Sequence, residues 1–288
     1  MRPPAQVEIA APMIPTALPW VNVASLRMDQ QRGRPVLLEF SDLVRPSSLR
    51  STAHLKAWHE RYGADPDGLR VITVFAPWLP FSADEDVARA LVERAGIVHP
   101  VLLDLELRLW SIYENEGWPC RYLFGRDLRL IDFHRGEGGF EETERAIQEA
   151  LGIDEPLTGP LDPIEAPGAQ LVVPSPDRDG PGSGPYEAGE VWAVFEGEGV
   201  VTVNGEPRPV TGPGPQLLLA HDRHEAGALE LDPGDGVTCH AVCFSPGLAP
   251  LAPGAGRRPA AAAALAGGRP RAAAPRRAST GGGCRWRR

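Results

Sequence analysis

The chain has 288 residues, long enough for two ordinary domains and a tail, with 29 basic against 38 acidic side chains and a formal net charge of −9. Nine arginines and no acid fall in residues 254–288, so the remainder is strongly acidic and a poor binder of nucleic acid away from that tail. The four cysteines are too few for a disulfide framework, and no apolar run has the length of a signal peptide or a membrane span, so a cytoplasmic protein with no membrane contact is expected.

Residues 1–19 read as a proline-rich N-terminal extension. PVLLEF, Pro35 to Phe40, is a continuous apolar run that predicts a central strand buried on both faces. A helix follows, with Ser47 or Ser48 available as N-cap and Leu55, Trp58 and Tyr62 on one stripe. LRVITVF, Leu69 to Phe75, predicts a second buried strand. Ser82-Ala83-Asp84-Glu85 fits a capping box that opens a helix with Val87, Ala90 and Leu91 facing inward. After HPVLLD and a helix through Trp110 to Tyr113, the segments CRYLF and RLIDFH read as an antiparallel hairpin around Gly125-Arg126-Asp127. A helix from about Phe140 to Leu151 closes this part, with its acidic residues at the end that the helix dipole favours.

Residues 153–168 are rich in proline and glycine and read as a linker. Residues 169–250 carry a different pattern: VWAVFE, GVVTVN, PQLLLA, ALELD and VTCHAVCF predict short strands. Asn204-Gly205 is the strongest hairpin signal, and Asp232 to Gly236 forms another turn. This half is expected to be an all-β sandwich or jelly roll. Residues 251–288, mostly Ala, Pro, Gly and Arg, have little to bury and read as a disordered tail.

The pieces W-V-N-V at 20 to 23, R-G-R-P-V-L-L-E-F at 32 to 40, L-R-S-T-A-H-L-K-A-W-H-E-R-Y at 49 to 62, G-L-R-V-I-T-V at 68 to 74, W-P-C-R-Y-L-F at 118 to 124 and G-E-G-G-F-E-E-T-E at 136 to 144 occur in order. Through them residues 20–152 resemble the thioredoxin-like domains of the TlpA and DipZ type, a redoxin branch of the thioredoxin superfamily. The resemblance implies an α/β thioredoxin-like fold with a central mixed sheet flanked by helices, and a β-rich domain after it. It also implies a C-x-x-C pair in the turn after the first of these strands, where a low-pKa thiolate and a resolving cysteine would exchange disulfides. Aligning Leu49-Arg50 with the Leu-Arg that follows the pair places Arg45 at the nucleophile and Ser48 at the resolving position. Neither residue has dithiol chemistry.

The turn Arg45-Pro46-Ser47-Ser48 and Trp118-Pro119, which aligns with the family's usually cis proline, are therefore read as a groove. Its expected occupant is a protein or peptide, or a small anion at the helix N-terminus. Cys120, next to that proline, is the candidate for a lone catalytic thiol in an oxidoreductase or peroxidase. A ligand-binding β domain is the remaining reading. No cofactor is expected. His221, His224, Glu225 and His240 make only a loose match to a metal set, and Cys239 and Cys243, four apart, would share a strand face too far apart to chelate one ion. Asp42, at the strand end beside the turn, is a candidate for burial under it.

Overall fold

A computed structural model describes residues 8–251; the start of the expected N-terminal extension, the arginine-rich tail and Cys284 lie outside the described residues. Residues 20 to 151 run β1 (Trp20–Val21), β2 (Val36–Ser41), α1 (Pro46–Tyr62), β3 (Arg70–Phe75), α2 (Glu85–Arg94), β4 (Val101–Leu103), α3 (Arg108–Ile112), β5 (Cys120–Phe124), β6 (Leu130–Arg135) and α4 (Phe140–Leu151). The sheet order is β1-β4-β3-β2-β5-β6, with β2, β3 and β4 parallel and β1, β5 and β6 antiparallel to their neighbours. This is a thioredoxin-like fold, with β2 central as its continuous apolar run requires. Val36, Leu38 and Phe40 pack on one face with Ile72, Val74 and Leu102. Leu37 faces the other way, under Leu55 and Trp58 of α1 and Phe140 and Ile147 of α4.

Two local expectations need correction. The N-cap of α2 is Asp84, whose carboxylate accepts from the Asp86 and Val87 amides, and Ser82 instead donates to Asp42 at 2.8 Å. A start three residues later than Ser82 moves the buried face to Ala88, Leu91 and Val92, and leaves Ala90 exposed.

The second half begins with β7 (Leu171–Val172) and β8 (Arg178–Asp179). It continues with β9 (Gly184–Val203), β10 (Glu206–Thr211), β11 (Gly214–Leu229), β12 (Leu231–Asp232), β13 (Val237–Ser245) and β14 (Gly247–Leu248). The expected strands VWAVFE and GVVTVN are one 20-residue strand, β9. Its first part pairs with β11 and β13, and its end with β10 and β12. The strand changes neighbours at Gly197, where φ is +93° and a Cβ would lie 2.2 Å from the Gly236 carbonyl oxygen, so only glycine fits. Asn204 and Gly205, both at positive φ, make the predicted two-residue hairpin into β10.

The sheet of β9 and β13 is buried on both faces. Val191, Ala193, Phe195, Val242 and Phe244 point into the core of the β half. Val194, Ala241 and Cys243, with Trp192 beside them, pack instead against Leu43, Val44, Phe81 and Leu91 of the thioredoxin-like half. The described residues up to Pro250 accordingly form one compact unit. Cys239 and Cys243 do not share a face: a bulge between Cys239 and Ala241 turns the first into the β core and the second toward the other half.

His99, fully buried before β4, shares a 2.8 Å hydrogen bond with Thr73 Oγ1. Burial, with the charges of His59 and Lys56 adding to it, pushes its pKa down to about 3. The unfolded chain therefore takes up this proton first, and its contribution to stability is present above about pH 6.5 and is lost as pH falls toward 3. Acidification from about pH 7 to 5 is expected to remove on the order of 2 kcal/mol through this group. Urea titrations at the two pH values should show the drop shrinking by that amount in His99→Gln.

Candidate functional site

The turn that resembles a redox centre follows the end of β2. Asp42 is fully buried there. Its carboxylate accepts from the Val44 amide at 3.0 Å, the Trp78 amide at 2.5 Å and Ser82 Oγ at 2.8 Å, while burial pushes its pKa up. Three donors on one carboxylate fix the turn, and the Arg45 amide adds a bond to the Asp42 carbonyl at 3.0 Å.

The N-cap of α1 is Arg45, not Ser47 or Ser48. Pro46 accounts for this: it lacks the amide that a first-turn residue leaves unpaired, and it holds the residue before it extended. Arg45 is extended at φ −93°, ψ 128°, and no side chain caps the helix. Ser48 is fully buried, and its Oγ has no hydrogen-bond partner among the described residues.

The Arg45 guanidinium lies 4.3 Å from the centre of the Trp78 ring and 5.9 Å from that of Trp118. Trp118 is stacked on Trp110 at 4.3 Å, its indole donates to the Ala76 carbonyl at 2.8 Å, and its peptide bond to Pro119 is cis. Arg45, at the start of α1, thus lies near Trp118 and its cis bond to Pro119.

That place is not an open groove. Pro46, Ser48 and Pro119 are buried, and the β half lies beside them. Asp177 reaches to 3.7 Å from Arg45, so the carboxylate at this helix end belongs to the chain itself. One turn further along α1, Arg50 donates to Glu190 at 3.1 Å and Ser245 at 3.0 Å from the β half, and to Glu137 at 2.7 Å. Phe81 and His240 add a ring contact at 4.8 Å. The sequence reading missed Asp177, Trp78, Glu190 and Ser245. The usable signal was the largely apolar character of VWAVF and AVCF, without strict alternation, which asks for a covering layer on both faces of those strands.

Cys120 does not have the surroundings of a reactive thiol. It is 2% exposed on β5, opposite Phe40, and burial pushes its pKa up, whereas a nucleophilic cysteine needs exposure and a lowered pKa. Burial likewise pushes Cys239 up to about 11 and Cys243 up to about 12. His221 pairs with Tyr186 at 3.0 Å and His240 with Glu196 at 2.7 Å. Among the described residues no group of three or more His, Cys, Asp or Glu side chains is placed to hold a metal, and no helix is long and apolar enough to cross a membrane.

The chain is 26% identical over 140 residues to Protein DipZ of Mycobacterium tuberculosis (strain CDC 1551 / Oshkosh), covering 48% of this chain and 20% of that protein. It is 22% identical over 136 residues to the thiol-disulfide oxidoreductase YkuV of Bacillus subtilis (strain 168), covering 47% of this chain and 90% of that one. Among solved structures, a thiol-disulfide isomerase from Corynebacterium glutamicum superposes with a TM-score of 0.44 at 19% identity, over 50% of this chain and 98% of that chain. The chain spans about a fifth of the length of the DipZ proteins it matches. No family model matches the chain.

Proposed function

We propose that this is a thioredoxin-like protein without thiol–disulfide chemistry, working as a binding or scaffold module in a reducing compartment. The observation that carries the reading is Arg45. It stands where the resemblance puts the nucleophilic thiol, stacked over Trp78 at 4.3 Å and paired with Asp177 at 3.7 Å. The former redox face then serves as the seat of the chain's own β half, and an external protein partner would meet the combined surface of the two. A single-cysteine enzyme would need Cys120 at the surface, and its burial weighs against that alternative.

The test is Arg45→Glu in the full chain. The variant loses the stacking on Trp78 and sets two carboxylates side by side. A desolvated cation–π contact contributes about 2 kcal/mol and an exposed one about 0.5–1 kcal/mol. With Arg45 partly exposed, a loss of about 1–2 kcal/mol in denaturant unfolding is the expected result. A change within about 0.5 kcal/mol, normal for a solvated surface residue, would remove the support that Arg45 gives.

A further inference from the structure

We infer that a cavity beneath the 153–168 segment binds a small amphiphilic organic cation, an amine or guanidine carried on an alkyl or aryl body. The cavity holds about 590 Å³, within the range that small-molecule sites occupy. Its walls include Phe140 from the start of α4, Leu157, Ile164 and Pro167 from the segment, and Leu171 and Pro246 from the β half.

These walls are held in place without a ligand. His54 stacks on Phe140 with ring centres 3.7 Å apart. The segment is pinned where Asp162 accepts from the Ile164 amide at 3.0 Å, and the Leu161 amide donates to Glu165 at 2.8 Å. Thr158 Oγ1 donates to Glu144 at 2.7 Å. A site already formed costs a ligand little ordering.

The charge around the cavity selects the ligand. Five lining residues are glutamates and one is an arginine. Glu137 is matched by Arg50 at 2.7 Å, Glu141 by Arg145 at 2.6 Å, and Glu144 by Arg61 at 3.4 Å together with Tyr62 and Thr158. Glu165 has no arginine partner among the described residues: its carboxylate meets His54 Nε2 at 2.9 Å and accepts from the Leu161 amide at 2.8 Å. Glu142, in the exposed first turn of α4, has no arginine within ion-pair distance among the described residues and attracts the buried Arg121. Two residual carboxylates at an apolar cavity favour a cation with an apolar body and repel the matching anion.

The probes are 4-phenylbutylamine and the matched anion 5-phenylpentanoate, titrated into the full chain by calorimetry and followed by amide chemical shifts. The amine is expected to shift the signals of Phe140, Ile164 and Leu171, with the anion binding about ten-fold more weakly or not at all. Glu142→Gln should weaken the amine about three-fold, as losing one partly exposed charge does. Leu171→Lys, which sets a competing cation at the cavity, should weaken it about ten-fold. Both residues are outside the hydrogen-bonded supports just described, so both variants should unfold like the wild type. Equal binding of amine and anion, shifts confined to another region, no binding of the amine, or an affinity unchanged in both variants would each overturn the inference. None of these readouts involves a thiol, so the outcome is separable from the loss of redox chemistry proposed above.

Discussion

Val194→Asp is expected to destabilise the entire described chain by on the order of 3–5 kcal/mol, the cost of an uncompensated buried charge. Val194 is fully buried, and its neighbours come from both halves: Leu43, Val44, Phe81 and Leu91 on one side, Ala241 and Cys243 on the other. If that layer is one core, denaturant should unfold the wild type in one transition, and the variant should lower its midpoint without splitting it. Two wild-type transitions, with only one shifted in the variant, would show that each half folds on its own core. The total stability of a native protein is about 5–15 kcal/mol, so a loss of this size is expected also to reduce the yield of soluble protein.

Arg121→Met carries the second large effect. Arg121 on β5 lies directly across from Glu39 on β2, and both are buried, at 1% and 0% exposure. The guanidinium Nε is 3.7 Å from the Glu39 carboxylate, which also accepts from Ser41 at 2.7 Å and Ser51 at 2.5 Å. Arg121 donates to the Gly138 carbonyl and sits 4.6 Å from the centre of the Phe140 ring. Burial pushes Glu39 up and Arg121 down, the directions expected when both charges have been taken out of water.

Removing the cation alone leaves the buried Glu39 carboxyl without its ion-pair partner, at a cost of about 3–5 kcal/mol. The double variant Glu39→Leu with Arg121→Met should recover most of that loss, because an apolar pair of similar volume avoids the desolvation of both ions. Urea unfolding of the two single variants and the double closes the cycle. Additive losses in the double variant would mean that the two residues contribute separately, through packing on Trp58 and Phe140 for the arginine and through the serines for the glutamate.

The thioredoxin-like half was largely legible in the sequence because its signals are local. β2 reads as a buried run, the hairpin of β5 and β6 flanks a turn of standard residues, and α4 begins and ends within a residue of its expected limits. The misreadings there, at Ser47, Ser48 and Ala90, concern helix starts, where a proline or an aspartate one or two residues away decides the register. In the β half the Asn204-Gly205 turn was legible, but β9 was not. The glycines at 197 and 199 look like turn residues, yet they let one strand pass between two sets of neighbours.

The candidate site was legible only in part, for the same reason. Arg45, Ser48 and Trp118-Pro119 could be placed by resemblance, since they lie next to recognisable strands. Asp177, Glu190 and Ser245 could not, because an ion pair between distant segments leaves no periodic trace in either. What the sequence did contain was an excess of apolar residues in β9 and β13 over what one buried face needs. Their outward side chains, Trp192, Val194, Ala241 and Cys243, are those that pack against Leu43, Val44, Phe81 and Leu91.

The central claim, that thiol chemistry has been lost and not moved, is tested most directly by turnover of peroxide and of a disulfide substrate by the purified, reduced full chain, run beside Cys120→Ser. The account predicts that the wild type does not exceed the variant, since Cys120 is buried with a raised pKa and the resemblance puts Arg45, not a cysteine, where the nucleophile would stand. Turnover that is present in the wild type and vanishes in Cys120→Ser would contradict it, and would mean that the chemistry had crossed from the α1 turn to the strand beside Pro119.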